Sequence, residues 1–168
     1  MFGMLAAIWG YTGILFVFGS AIYRLTPVSW QLTEHTLLWY HWVALAVSLI
    51  FMGFAEGYRG FQQGYSPRVA ARILYLSKHT TPVRFLLAPL FCLGFFHIER
   101  RRQIISYSLI VGIFLLVKFV HTLDQPWRGI IDAGVVLGLT WGIVSLTLFT
   151  FQAFSGDFDH SPEVPQPR

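Results

Sequence analysis

Apolar residues run along this chain in long blocks, neither alternating with polar ones nor confined to one helical stripe. Four blocks, near 3–23, 36–58, 104–123 and 129–153, each approach the ~20 residues that a bilayer-crossing helix needs. A helix that is apolar all round offers no face to water, so it belongs in a protein interior or in lipid. A fifth block, Arg84–Ile98, is shorter. As a helix it reaches about 22 Å, against a hydrocarbon core of ~30 Å, and Pro89 interrupts it.

The polar gaps turn these blocks into a topology. The gap after the second block carries Arg59, Arg68, Arg72, Lys78 and Arg84, and the next carries Arg100, Arg101 and Arg102, together eight of the twelve Lys and Arg. Basic residues beside membrane helices stay on the cytoplasmic side. If the fifth block crossed, one basic cluster would be forced outward. The pattern therefore predicts an all-α polytopic membrane bundle of four transmembrane helices, with residues 84–98 re-entrant or interfacial and both termini cytoplasmic. A bacterial cytoplasmic membrane is the expected location. Trp30, Trp39, Trp42 and Trp127 then fall together at the outer face, where indoles anchor among headgroups.

Inside the basic loop, Ser66-Pro67 is a helix start, with Ser as N-cap and Pro at the first helical position. Val69, Ile73 and Leu76 follow on one side, with Arg68, Arg72 and Tyr75 on another. This predicts an amphipathic cytoplasmic helix over 66–78, lying on the inner leaflet or packed on a partner. Arg68, Arg72, Lys78, Arg84, Arg100, Arg101 and Arg102 are the candidates for contact with anionic lipid headgroups. Residues 1–154 are expected to form one transmembrane domain. Residues 155–168 read as a disordered, acidic, Pro-rich tail.

Composition narrows the classes. Residues are 55% hydrophobic and only 12% charged, about half the ~25% of a soluble domain, which leaves no room for a large water-soluble unit. No Lys or Arg precedes the first block, so it is expected to be a helix and not a cleaved leader. Cys92 is the single cysteine, so neither an internal disulfide nor a Cys-based metal motif can form. A basic surface beside a bilayer meets lipid before nucleic acid, and no nucleic-acid partner is expected.

Small residues mark helix contacts. Gly134, Gly138 and Gly142 form two overlapping GxxxG units, and Gly53, Gly57, Gly60 and Gly64 share one face of an α-helix that would run past the second block. Lipid supplies no hydrophobic drive between helices, so close approach at small residues holds them together. These stripes are either seams within the chain or a surface for a homo-oligomer or larger complex.

The few ionisable residues inside the blocks are the candidate sites. Toward the outer side stand His41, Lys118, His121 and Asp132; Lys118 and Asp132 come to similar depth and could pair, while Lys118 snorkelling outward and an Arg128–Asp132 pair are the plainer readings. Toward the cytoplasm stand Glu56, Arg59, Gln63 and His97, with a local Glu56–Arg59 pair as the plain reading. No HExxH, GxSxG or paired-aspartate motif occurs, so no catalytic residue, metal site or cofactor is assigned. The expected function is a non-catalytic structural, assembly or accessory subunit of a membrane complex. The alternatives are a redox subunit with b-type haem between His41 and His121, or a proton- or ion-coupled transporter using Lys118, His121 and Asp132.

Overall fold

The structure, a computed structural model, describes residues 2–96, 100–156, 158–162 and 164, with the backbone alone at 101, 102, 105 and 109. All regular structure among the described residues is helical. Helix α1 (Phe2–Trp30) ends in a 3-10 turn, Gln31–Glu34. Helix α2 (Trp39–Met52) runs without a break through a π-helical stretch, Gly53–Tyr65, into α3 (Ser66–Lys78). Two short helices follow, α4 (Pro82–Leu86) and α5 (Ala88–Leu93), then α6 (Arg100–Val120) and α7 (Trp127–Ser155). Among the described residues, three helices are long and apolar enough to cross a membrane: Phe2–Glu34, Trp39–Lys78 and Trp127–Ser155. The fourth expected span corresponds to α6, whose apolar part covers only Ser106–Val120.

Pairwise contacts give the helix directions. Leu32 packs on Gly129, and the Tyr11 hydroxyl meets Thr147 Oγ1 at 2.8 Å, so α1 runs antiparallel to α7. Ser48 Oγ donates to the Ile130 carbonyl at 3.1 Å, and Ser66 and Ser145 hydroxyls meet at 2.7 Å, so the α2–α3 rod runs parallel to α7. Gly3 abuts the Ser77 backbone. The start of α1, the end of α3 and the end of α7 therefore share one end of the bundle. Trp30, Trp39, Trp42 and Trp127, all exposed, share the other.

The seam between the rod and α7 is built from the glycine stripe. A Cβ at Gly134 would lie 2.6 Å from Ser48 Oγ, one at Gly138 3.2 Å from Glu56 Oε2, and one at Gly142 2.9 Å from the Phe61 ring. The stripe is spent inside the chain. On the rod, Gly57 faces Trp141 and Gly53 faces Leu137, but Gly60 is exposed and has only its own helix backbone nearby. The π stretch explains this: bonds spanning five residues widen the turn, so a face predicted at α spacing rotates away by its third member.

Helix α3 begins and ends at the expected residues, but it does not lie on a surface. Ser66, Val69, Ala70, Arg72, Ile73 and Leu76 are buried among α1, α5 and α7. The segment expected over 84–98 is a bent pair of short helices, with 97–99 outside the described residues. Thr81 caps α4 by accepting from Arg84 N–H at 3.3 Å, Pro82 opens it, and Gly94 in the left-handed region (φ 85°) closes α5. Arg84 and Phe91 lie side by side across the bend at Leu87. Pro89 fills the space left by Gly13, and Cys92 and Ala88 that left by Gly10. Gly13 stands ten residues from Gly3, about 15 Å along the helix, so the pair reaches well up the side of α1.

Helix α6 is the exception to this packing. Its start is tied to the bend by Gln103 Nε2, which donates to the Phe95 carbonyl at 3.1 Å. Beyond that, its side chains from 110 to 119 are exposed on every face, and a Cβ at Gly112 would meet nothing within 4 Å. In the tail, Phe158 and His160 lie against Phe149, and Val164 packs on the core cluster.

Candidate functional site

Of the four outer-side candidates, Asp132 and His121 come within electrostatic reach of each other. His41, near the start of α2, is buried, and its ring meets the Trp127 ring at 5.2 Å. Its Nδ1 accepts the Leu38 backbone N–H at 3.2 Å, half of a capping box. Asp132 is 4% exposed and lies 3.7 Å from Arg128 Nε, one turn back on α7. Lys118 is exposed on α6 with its ammonium over the Phe114 ring, and no ion pair joins it to Asp132 among the described residues. His121 is exposed too, its Nδ1 2.8 Å from the Val117 carbonyl. The local Arg128–Asp132 pair is therefore what forms.

The bond at His41 bears on haem. A haem-ligating histidine donates its Nδ1 proton outward and binds iron through Nε2. Here Nδ1 is the acceptor, which places the proton of the neutral ring on Nε2. For His41 to hold iron in that way, the Leu38 bond would have to be given up. Among the described residues, no three His, Cys, Asp or Glu side chains converge as a metal site would require.

On the other side, His97 lies outside the described residues. Glu56, Arg59 and Gln63 fall within the π stretch. Arg59 and Gln63 are exposed, while Glu56 turns into the seam against Gly138, and no Glu56–Arg59 ion pair forms among the described residues. One turn on, Gln62 Oε1 accepts from Trp141 Nε1 at 2.9 Å. Glu56 is also not at the bundle's end. Gly138 stands eleven residues from Trp127 and seventeen from Ser155, about 17 and 26 Å along α7.

The headgroup candidates divide. Lys78 and Arg100 are exposed. Arg84 donates to the His79 carbonyl at 3.2 Å and covers the Tyr75 and Phe91 rings. Arg68 Nε donates to the Gly64 carbonyl at 2.5 Å. The side chains of Arg101 and Arg102 lie outside the described residues. Arg72 departs from expectation: it is 3% exposed, donates to the Phe91 carbonyl at 2.9 Å, and sits 5.6 Å from the Phe91 ring centroid. It cannot reach a headgroup.

Arg72 belongs to a buried polar group that sequence reasoning missed, with the Tyr65 hydroxyl and the Cys92 thiol in electrostatic reach beneath α5. The signal was present: Arg72 is three residues after Val69 and four before Leu76, on the apolar face itself. Its chemistry is that of an anchor. A charge-assisted bond to the Phe91 carbonyl ties α5 to α3.

Protein families, curated proteins and solved structures were compared with this chain, and none matches.

Proposed function

We propose that the protein is a four-span membrane protein acting as a non-catalytic structural, assembly or accessory subunit of a membrane complex, with α6 as the helix that meets its partner. Parallel α2 and α7 support the span count: the chain leaves Lys78 at one end and must re-enter at Trp127 at the other, and α6 is the crossing available. At 21 residues α6 is about 31 Å long, of which the apolar part, Ser106–Val120, covers about 22 Å, so on this reading its first turns, with Arg100, reach the ~30 Å core's inner edge from the headgroup layer. On this reading α4 and α5 dip in and return, and both chain ends lie on the cytoplasmic side. Exposed Lys78 and Arg100 meet anionic headgroups there, and the tryptophan collar marks the outer interface.

The observation that carries the partner is α6 itself. On α1, the rod and α7 most glycines, Gly19 and Gly60 excepted, are spent on close contacts within the chain, whereas Gly112 of α6 meets nothing within 4 Å. Ser108 and Gly112 present the small-xxx-small spacing on open faces. The experiment places a photo-crosslinking residue at Gly112 and illuminates native membranes. A crosslinked band joining this chain to one defined protein, a second copy included, is expected. Crosslinking to lipid alone, with a monodisperse monomer after gentle extraction, overturns the proposal.

A further inference from the structure

We infer that Glu56 is a proton-binding site, a neutral carboxyl held in the seam between the α2–α3 rod and α7. Its Oε2 occupies the space that a side chain at Gly138 would take: a Cβ there would lie 3.2 Å from that oxygen and 3.4 Å from Glu56 Cβ. No hydrogen bond or ion pair reaches the carboxyl among the described residues. The charged groups around it are engaged or turned away. On α7 there are only Arg128 and Asp132, which face each other toward the tryptophan end; on α1 there is Arg24, exposed; on the rod, Arg59 is exposed.

The surroundings settle the charge. An ionised carboxylate without a partner in an apolar medium costs far more than a neutral carboxyl, and such groups take up a proton instead. With Gly138 near mid-length of α7, water at either end is too distant to solvate the charge. The residue is nevertheless only half-buried, so, on the membrane reading proposed above, an apolar reagent can reach it from the lipid side of the seam. The π stretch beginning at Gly53 supports this reading, since π segments recur where a helix serves a site and not only packing.

The test uses the full chain in phospholipid vesicles and dicyclohexylcarbodiimide, an apolar reagent. A protonated carboxyl adds across one C=N bond: a carbon–oxygen bond forms and the carboxyl proton moves to nitrogen. The O-acylisourea then rearranges to a stable N-acylurea, with nothing oxidised or lost. An adduct mapped to Glu56 at neutral pH, with none on Glu34, is expected. Complete loss of that adduct in Glu56→Gln is expected as well. The wild-type measurement is decisive even if that variant fails to fold. Absence of the adduct at neutral pH overturns the inference, as does modification of Glu56 by a water-soluble carbodiimide at the rate seen for exposed Glu34. The readout is on one peptide, so it stands apart from any partner of α6.

Discussion

Replacing Gly142 with alanine is expected to weaken the seam between the rod and α7 through one defined clash. The new Cβ would lie 2.9 Å from Phe61 Cγ and Cδ1 and 3.1 Å from Cδ2. Carbon atoms pack at about 3.5–4.0 Å, so at least ~0.4 Å of overlap must be relieved at several ring atoms at once. The ring has little freedom to turn: Phe18 stands edge-on at 5.4 Å and Tyr65 at 5.6 Å. Overpacking of this kind costs about 1–3 kcal/mol. Gly112→Ala meets nothing within 4 Å and should not destabilise; alanine's helix propensity should add up to about 1 kcal/mol. Phe61→Leu removes the obstructing ring, so Gly142→Ala combined with it should cost at least about 1 kcal/mol less than the two singles added. Reversible unfolding by SDS in mixed micelles, followed by tryptophan fluorescence, measures all four. The reasoning fails if Gly142→Ala is neutral, if Gly112→Ala costs as much, or if the cycle is additive.

Three further outcomes are expected. Ser145→Ala should cost about 0.6–1.7 kcal/mol by orphaning Ser66, its partner in a 2.7 Å bond, Ser66→Ala should cost less because Ser145 keeps its 3.1 Å bond to the Gly142 carbonyl, and the double variant should cost no more than Ser145→Ala; full additivity in the same unfolding assay would count against the pair. Arg72→Met should speed maleimide labelling of Cys92, 1% exposed in the native protein, by at least about tenfold, because losing a charged hydrogen bond worth about 1.5–3 kcal/mol raises the population with α5 lifted; an unchanged rate would remove Arg72 as its anchor. With Cys92 replaced by alanine, Thr80→Cys and Thr122→Cys should label from opposite sides of the membrane, and labelling from one side would remove α6 as a crossing.

Much of the fold was legible in local pattern. The helix over 66–78 was marked by Ser66-Pro67 and appears as Ser66–Lys78. The stripe Gly134, Gly138 and Gly142 signalled a close seam, and the structure assigns it to the rod. The candidate sites were less legible. The π stretch rotates Gly60 out of its face, turns Glu56 into the seam and merges α2 with α3, and nothing in α-helical spacing announces a change of turn. Arg72 counted as a surface cation because its type suggested a headgroup, although its spacing placed it with Val69 and Leu76.

Segment length, hydrophobicity and turn residues are properties of neighbours in sequence, so the helical class, the apolar blocks and the tryptophan end followed from the chain alone. Which helix lies against which is a matter of residues far apart: Ser48 with Ile130, Phe61 with Gly142, Arg72 with Phe91. Only the tertiary structure decided that α2 and α7 run parallel, that a cation is buried under α5, and that α6 stands apart. In helices apolar on every side, hydrophobicity cannot choose the contact face; the fit of small residues to particular side chains does.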